Sequence, residues 1–260
     1  MSYWNEIEKE QGIYDFSELD MQIETITAFE GVVTFCLGVK QPRWPEYHWP
    51  KWAKGLPDQE KANALLTFIE AVVVRYKNNP AIISWQLENE ALLSNFGESI
   101  HIDRQRLKAE YNLVKKLDPK RPIIMSTSNG WGMPLRQPIP DIVGFSYYPI
   151  MYKNGGYNKT IQKPWLHRLR KFFIETCLRK KVFIHELQLE PWGPTAIWKM
   201  PIEEQNKSMD VDQIRNNIAE AKKINVYPID LWGGEWWYWR LQKHHDAMIW
   251  NAVNTAISKA

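Results

Sequence analysis

Apolar residues follow two rhythms along this chain. Short, nearly unbroken runs read as buried strands: GVVTFCLGV (31–39), AIISWQL (81–87), PIIMSTS (122–128), IVGFSYYPI (142–150), KVFIHEL (181–187) and VYPIDLW (226–232). Between them, apolar positions recur at helical spacing. One set is Leu65, Leu66, Ile69, Val72, Val73 and Tyr76, and a second is Leu107, Tyr111, Val114 and Leu117. A third runs through Leu166, Leu169, Phe173 and Cys177, and a fourth through Ile214, Ile218, Ala221 and Ile224. Met248, Ile249, Trp250 and Val253 mark a closing helix. Repeated strand–helix units predict a parallel sheet, and this many predict an α/β fold of the TIM (β/α)8 barrel type rather than an open sheet. No linker, low-complexity segment or short repeat interrupts the 260 residues, so one domain over 1–260 is expected.

The strand at 81–87 raises a question of chemistry. It runs apolar to its end and then delivers Glu88, Asn89 and Glu90 at once. In a (β/α)8 barrel the active site lies at the C-terminal ends of the strands. Glu186 stands at the end of a second strand, in FIHELQLEPW. Two carboxylates on separate strand ends of one barrel are what glycosidic cleavage needs, one protonated for the leaving oxygen and one anionic toward the anomeric carbon.

Composition adds one unusual number, 14 tryptophans, with 11 tyrosines and 9 phenylalanines. WPEYHWPKW (44–52) and WGGEWWYW (232–239) are crowded with Pro, Gly and charge, so they read either as carbohydrate-stacking platforms or as aromatic packing for long loops. Lys plus Arg total 33 against 30 acidic residues, and the positive charge is spread, so no nucleic-acid partner is expected. No apolar run approaches the length of a membrane span. Cys36 and Cys177 lie in apolar stretches and are expected as buried thiols rather than a disulfide. The N-terminus lacks the basic start and apolar core of a signal peptide. The chain as it stands is thus expected in the cytoplasm, or outside the cell if a leader precedes it.

Taken together, Asn89-Glu90 and Glu186 make the chain resemble a retaining glycoside hydrolase of clan A, the superfamily of cellulase-like family 5 enzymes and several β-galactosidase families. The resemblance implies that Asn89-Glu90 ends barrel strand four and that Glu90 is the acid/base. It implies that Glu186, ending strand seven, is the nucleophile. Tyr148, with Tyr147 as its rival, would contact Glu186 from strand six; Asn89 would bind the sugar 2-hydroxyl; Trp232 would floor the sugar site. Trp44 and Glu235 are further substrate-binding candidates, while Glu88 and Glu190 are expected in salt bridges or subsite contacts. The substrate would be a glycoside, oligosaccharide or polysaccharide, with no cofactor and no metal. A non-catalytic, sugar-binding barrel relic is the alternative.

Counting back from strand four leaves Tyr3-Trp4 as the tip of strand two and no residues for strand one. The barrel is therefore expected to be incomplete at its N-terminus, with six countable strands plus the tip of a seventh and self-association through the open edge. The stretch NGWGMPLRQPIPD (129–141) is too short and proline-rich for a helix. Two histidine patterns carry less. His185-Glu186 is not a zinc-protease HExxH motif, because position 189 is Leu189 and the segment is a strand. In His244-His245-Asp246, the aspartate reads as a helix cap.

Overall fold

A computed structural model describes residues 1–91, 93, 103–127, 133–160 and 163–258. It divides into two compact units, Met1–Thr127 with Pro134–Val143, and Ser128–Met133 with Gly144–Ala260. The strands are β1 (Val33–Leu37), β2 (Ile82–Leu87), β3 (Ile123–Thr127), β4 (Ile142–Tyr147), β5 (Ile150–Lys153), β6 (Gly156–Lys159), β7 (Lys181–Gln188) and β8 (Ile229–Trp232). Six of them hydrogen-bond in the order β1-β2-β3-β4-β7-β8, and β5-β6 forms a separate antiparallel hairpin. The pairs β1-β2, β2-β3 and β7-β8 are parallel.

In the first unit the sequence rhythm becomes a packed core. Helix α1 (Trp4–Ile7) is a single turn, and α2 (Ser17–Ala28), α3 (Asp58–Tyr76) and α4 (Arg104–Leu117) follow. Leu65, Phe68, Ile69, Val72, Val73 and Tyr76 of α3 are buried, the spacing of one helix face. Tyr3-Trp4 is not a strand tip. Trp4 opens α1 and is fully buried, stacked on Phe68 at 5.3 Å and close to Trp49 and Trp52, and its Nε1 donates to Glu8 Oε2 at 2.6 Å. Four aromatic rings in one cluster outweigh the extended preference of a strand end. Ser2 Oγ donates to the carbonyl of Cys36 on β1 at 2.7 Å, so the N-terminal segment lies on β1 without joining it as a strand. Trp4→Ala should cost about 3–5 kcal/mol, because a large side chain leaves a cavity and Glu8 loses a donor. Chemical denaturation of wild type and variant measures it.

The second unit contains α5 (Pro164–Cys177), α6 (Ile202–Asn206), α7 (Val211–Ile224), α8 (Gly234–His244) and α9 (Ala247–Ile257). Helix α7 buries Ile214, Ile218, Ala221 and Ile224 as the spacing predicts. Helix α5 does not follow its apolar spacing. Its buried residues are His167, Arg170 and Ile174, while Leu169, Phe173 and Cys177 are exposed, so Cys177 is not a buried thiol although Cys36 is. The cause lies in β4: His167 stacks on Phe145 at 4.8 Å and 5°, and the Arg170 guanidinium lies 5.1 Å from the same ring. These aromatic contacts draw the polar face inward. Burial pushes the His167 imidazole down to about 4, with the Arg170 charge adding to the effect, and burial lowers Arg170 to about 10.

Two boundaries shift for local reasons. The strand predicted at 142–150 stops at Tyr147, and Ile150 begins the β5-β6 hairpin. Strand β8 begins at Ile229, after Pro228, which has no amide hydrogen for a ladder. WGGEWWYW runs into α8, where Trp236 and Trp237 are buried and their indole N–H groups donate to Gln205 Oε1 (2.8 Å) and the Leu189 carbonyl (2.6 Å). That aromatic run is therefore core as well as rim. Asp246 caps α9, accepting from Met248 N at 3.0 Å. Residues 133–141 contain no helix, in line with their prolines; residues 128–132 lie outside the described ones. Among the described residues no helix is long and apolar enough to cross a membrane.

Candidate active site

In the first unit, β2 passes directly into Glu88-Asn89-Glu90, and both glutamates adopt left-handed backbone angles, φ 54° and 42°. Such angles are unusual for residues with a Cβ and persist only where surrounding contacts fix them. The contacts here are dense. Glu88 is fully buried, accepting from Val39 N at 3.2 Å, from Lys40 N and from Arg106 Nη2 at 2.6 Å. Gly38 makes this possible: a Cβ there would lie 2.5 Å from the Glu88 carboxyl carbon, and its φ is +96°. Asn89 N donates to the Lys40 carbonyl at 2.7 Å, and Asn89 Oδ1 accepts from Gln86 Nε2 at 3.3 Å. Glu90 N donates to Ser126 Oγ at 2.8 Å, and its carbonyl accepts from Lys40 Nζ at 3.1 Å. The Glu90 side chain belongs to a buried residue, 8% exposed.

Sequence reasoning missed the charges behind this turn. Lys40 and Glu46 are both buried and pair at 3.2 Å. Burial pushes Glu46 up to about 7, the Glu90 charge adds to the rise, and Lys40 opposes it. Arg106 pairs with both Glu88 and Glu110, at 2.6 and 2.7 Å. Two buried carboxyls thus share one guanidinium, and burial first, then Glu88, pushes Glu110 up to about 8. The available signal was the i,i+4 spacing of Arg106 and Glu110 on one helix. A carboxyl raised in the folded state binds its proton more tightly there than in the unfolded chain. Its contribution to stability is full below the ordinary carboxyl range and is lost as pH rises toward about 8. The thermal midpoint should therefore fall between pH 5 and pH 8, and Glu110→Gln should flatten that slope in a pH series of melting curves.

Within WPEYHWPKW, Tyr47, His48 and Trp49 are buried, whereas Trp44 is 72% exposed. Only Trp44 keeps the exposure that a stacking platform on this loop requires. Among the described residues no group of three or more His, Cys, Asp or Glu side chains is placed to hold a metal.

The second unit brings Tyr148 and Glu186 together. Strand β7 has one more residue than β8 between Ile184 and Leu187, so Glu186 lies in a bulge, a feature that re-aims side chains. Tyr148 Oη donates to Glu186 Oε2 at 2.8 Å. Its rival Tyr147 is buried and meets the edge of His167 instead. Trp192 approaches the Tyr148 ring edge-on at 5.7 Å, and its backbone N–H donates to Ser208 Oγ at 3.1 Å. Trp232 is half-buried, and its Nε1 donates to Glu190 Oε1 at 2.8 Å. Gly233 follows at φ +135°, where a Cβ would lie 2.7 Å from the Leu189 carbonyl oxygen. Glu235 is exposed in the first turn of α8. His185 faces Asp230 at 3.4 Å, a strand histidine with an acidic neighbour.

Strand–helix repeats that carry Glu90 just past the end of β2 and Glu186 within β7, near its C-terminal end, define a barrel of the clan A glycoside hydrolase class. Residues 3–177 match the family described as "Glycosyl hydrolases family 2, TIM barrel domain", and the chain belongs to that family. This narrows the broader likeness to family 5 and β-galactosidase-like enzymes. The β-glucuronidase of Sus scrofa is 32% identical over 97 residues, 37% of this chain and 14% of that protein; that of Chlorocebus aethiops is 29% identical over 97 residues, 36% of this chain and 14% of that protein. The chain thus spans a small part of the length of these relatives. Among solved structures, the β-galactosidase of Marinomonas ef1 superposes with a TM-score of 0.61 at 12% identity, covering 89% of this chain and 49% of that one. Xylanase10C of Cellvibrio japonicus gives 0.61 at 16% identity, covering 94% and 54%. These likenesses show the fold, a (β/α)8-type barrel, which is incomplete here.

Proposed function

We propose that this chain is the catalytic barrel domain of a retaining β-glycosidase, with Glu186 as nucleophile and Glu90 as acid/base. Glu186 attacks the anomeric carbon while protonated Glu90 gives its proton to the departing oxygen. A water deprotonated by Glu90 then releases the sugar with its configuration retained. The hydrogen bond from Tyr148 to Glu186 is the observation that carries this reading: a donor to the carboxylate favours its ionised form and fixes the attacking oxygen. A second support is the backbone of Glu90, pinned by Ser126 and Lys40 at the end of β2. Relatives named β-glucuronidase and β-galactosidase support a β-linked glycoside as substrate. In this scheme Asn89 binds the sugar 2-hydroxyl, Trp232 lies under the ring, and Trp44 and Glu235 serve outer subsites.

Following hydrolysis of an aryl β-glycoside by proton NMR tests the stereochemistry. The β-anomer of the free sugar should form first and mutarotate later. First appearance of the α-anomer would indicate inversion, and sugar binding without turnover would favour the binding-relic reading. Strand β8 is half-buried along its length, and we propose that copies of the chain associate through this edge, which light scattering tests.

A further inference from the structure

Because α5 turns a polar face inward, its apolar residues are left outside. Trp165, Leu169, Phe172 and Phe173 are 62%, 41%, 59% and 43% exposed. Trp165, Leu169, Phe172 and Thr176 follow one another at steps of four, three and four residues, the rhythm of a coiled-coil seam. At about 100° per residue this seam runs opposite the buried His167, Arg170 and Ile174, so it faces away from β4. One flank of the seam is apolar, with Leu166 and Phe173. The other carries Arg168, which is exposed, and Glu175, which pairs with Lys171 of its own helix at 3.5 Å. Together the four large side chains expose roughly 400 Å² of apolar surface, the size of the largest patches on monomeric proteins and often a functional one.

We infer that the outer face of α5 is a two-fold interface, on which the α5 helices of two copies of this chain pack antiparallel, seam on seam. The flanks decide both the occupant and its direction. Turning one helix over about a perpendicular two-fold axis brings each flank against its own counterpart, whereas a parallel pair sets opposite flanks together. With the axis between Arg170 and Lys171, Leu169 lies level with Phe172 of the second copy, and Trp165 lies level with Thr176. On the apolar flank Phe173 then meets Leu166, and on the charged flank Arg168 meets Glu175, each offset by about 3 Å along the helix. The two-fold repeats every contact. A parallel pair would lay Arg168 and Glu175 on Leu166 and Phe173, charge on hydrocarbon. The surface is thus complementary to itself in charge and in apolar pattern, which is what assigns it to a second copy. Two such patches bury about 800 Å² of apolar surface, the low end for specific contacts, so the dimer is reversible, with a Kd of about 1–100 µM.

Sedimentation velocity of the full chain from about 1 to 200 µM tests this without any substrate, so the outcome is independent of the catalytic reading. The wild type should associate over that range. Phe172→Ser should weaken the association by about 30-fold or more while leaving the melting curve in place, because the side chain it removes is exposed. Arg168→Glu and Glu175→Arg should each weaken it by about 10-fold, since each turns two attractive pairs into two repulsive ones. An equimolar mixture of these two variants should recover nearly wild-type affinity, because each supplies the charges that the other lacks. That recovery requires residues 168 and 175 to face each other across the contact, which a merely structural effect would not produce. Association through the β8 edge would not respond to these substitutions. A chain that stays monomeric to 200 µM, or one with no association step sensitive to Phe172→Ser, would overturn the inference. So would a mixture no tighter than its two components. A monomer that floats with phosphatidylglycerol vesicles would give the seam to a membrane surface instead and would also overturn it.

Discussion

Glu186→Ala is expected to lower hydrolysis of every substrate by about four orders of magnitude or more, since no carboxylate remains to attack the anomeric carbon. The loss should be uniform across leaving groups, because the missing bond is to the sugar. Added azide gives this variant a distinctive signature. A small anion entering the space of the lost carboxylate displaces an activated aryl group from the α face, so an α-glycosyl azide should accumulate. Mass spectrometry and NMR of the product check both parts. A β-azide, or substantial residual turnover, would move the nucleophile elsewhere.

Glu90→Ala is expected to separate substrates by their leaving groups. A poor leaving group needs the proton, so its kcat/KM should fall by about 1,000-fold or more. An activated dinitrophenyl group leaves unaided, so its first step should be nearly preserved and the glycosyl-enzyme should accumulate, since water then lacks its base. Azide should relieve that second step and give the β-azide, opposite in configuration to the product from Glu186→Ala. Equal losses on both kinds of substrate would contradict the role. The two azide products together form a stricter test than either rate.

What the sequence disclosed follows the physics of each element. Strands β2 and β7 are legible because their residues are buried with little interruption and a carboxylate follows the apolar run, just past the end of β2 and near the end of β7. Helices α3 and α7 are legible because one apolar face meets the core. Helix α5 is not, because its inward face is chosen by rings on β4 that accept a histidine and an arginine, and periodicity counts neither as apolar. Helix α1 is hidden for a similar reason: Trp4 is committed by Phe68, Trp49 and Trp52, all distant in sequence. In the candidate site, Glu90 and Glu186 are candidates that the chain alone suggests, and the expected hydrogen bond between a tyrosine and Glu186 is present. The supporting charges cannot. Lys40 and Glu46 look like surface residues of an aromatic loop until the fold buries them together, and Gly38 looks like an ordinary strand end until Glu88 occupies the space beside it.

The β5-β6 hairpin has a consequence for how such a barrel can diversify. Its base is clamped by the two bonds between Ile150 and Gln188, and four register pairs close the ribbon above that clamp. Its turn residues Asn154 and Gly155 have positive φ and are exposed, so the tip carries little of the core. A ribbon built this way behaves as an exchangeable cassette: its length and side chains can drift while the clamp keeps the neighbouring strand ends aligned. Lineages carrying this barrel could therefore explore new sugars by editing the hairpin tip, with Gln188 as the residue they can least alter.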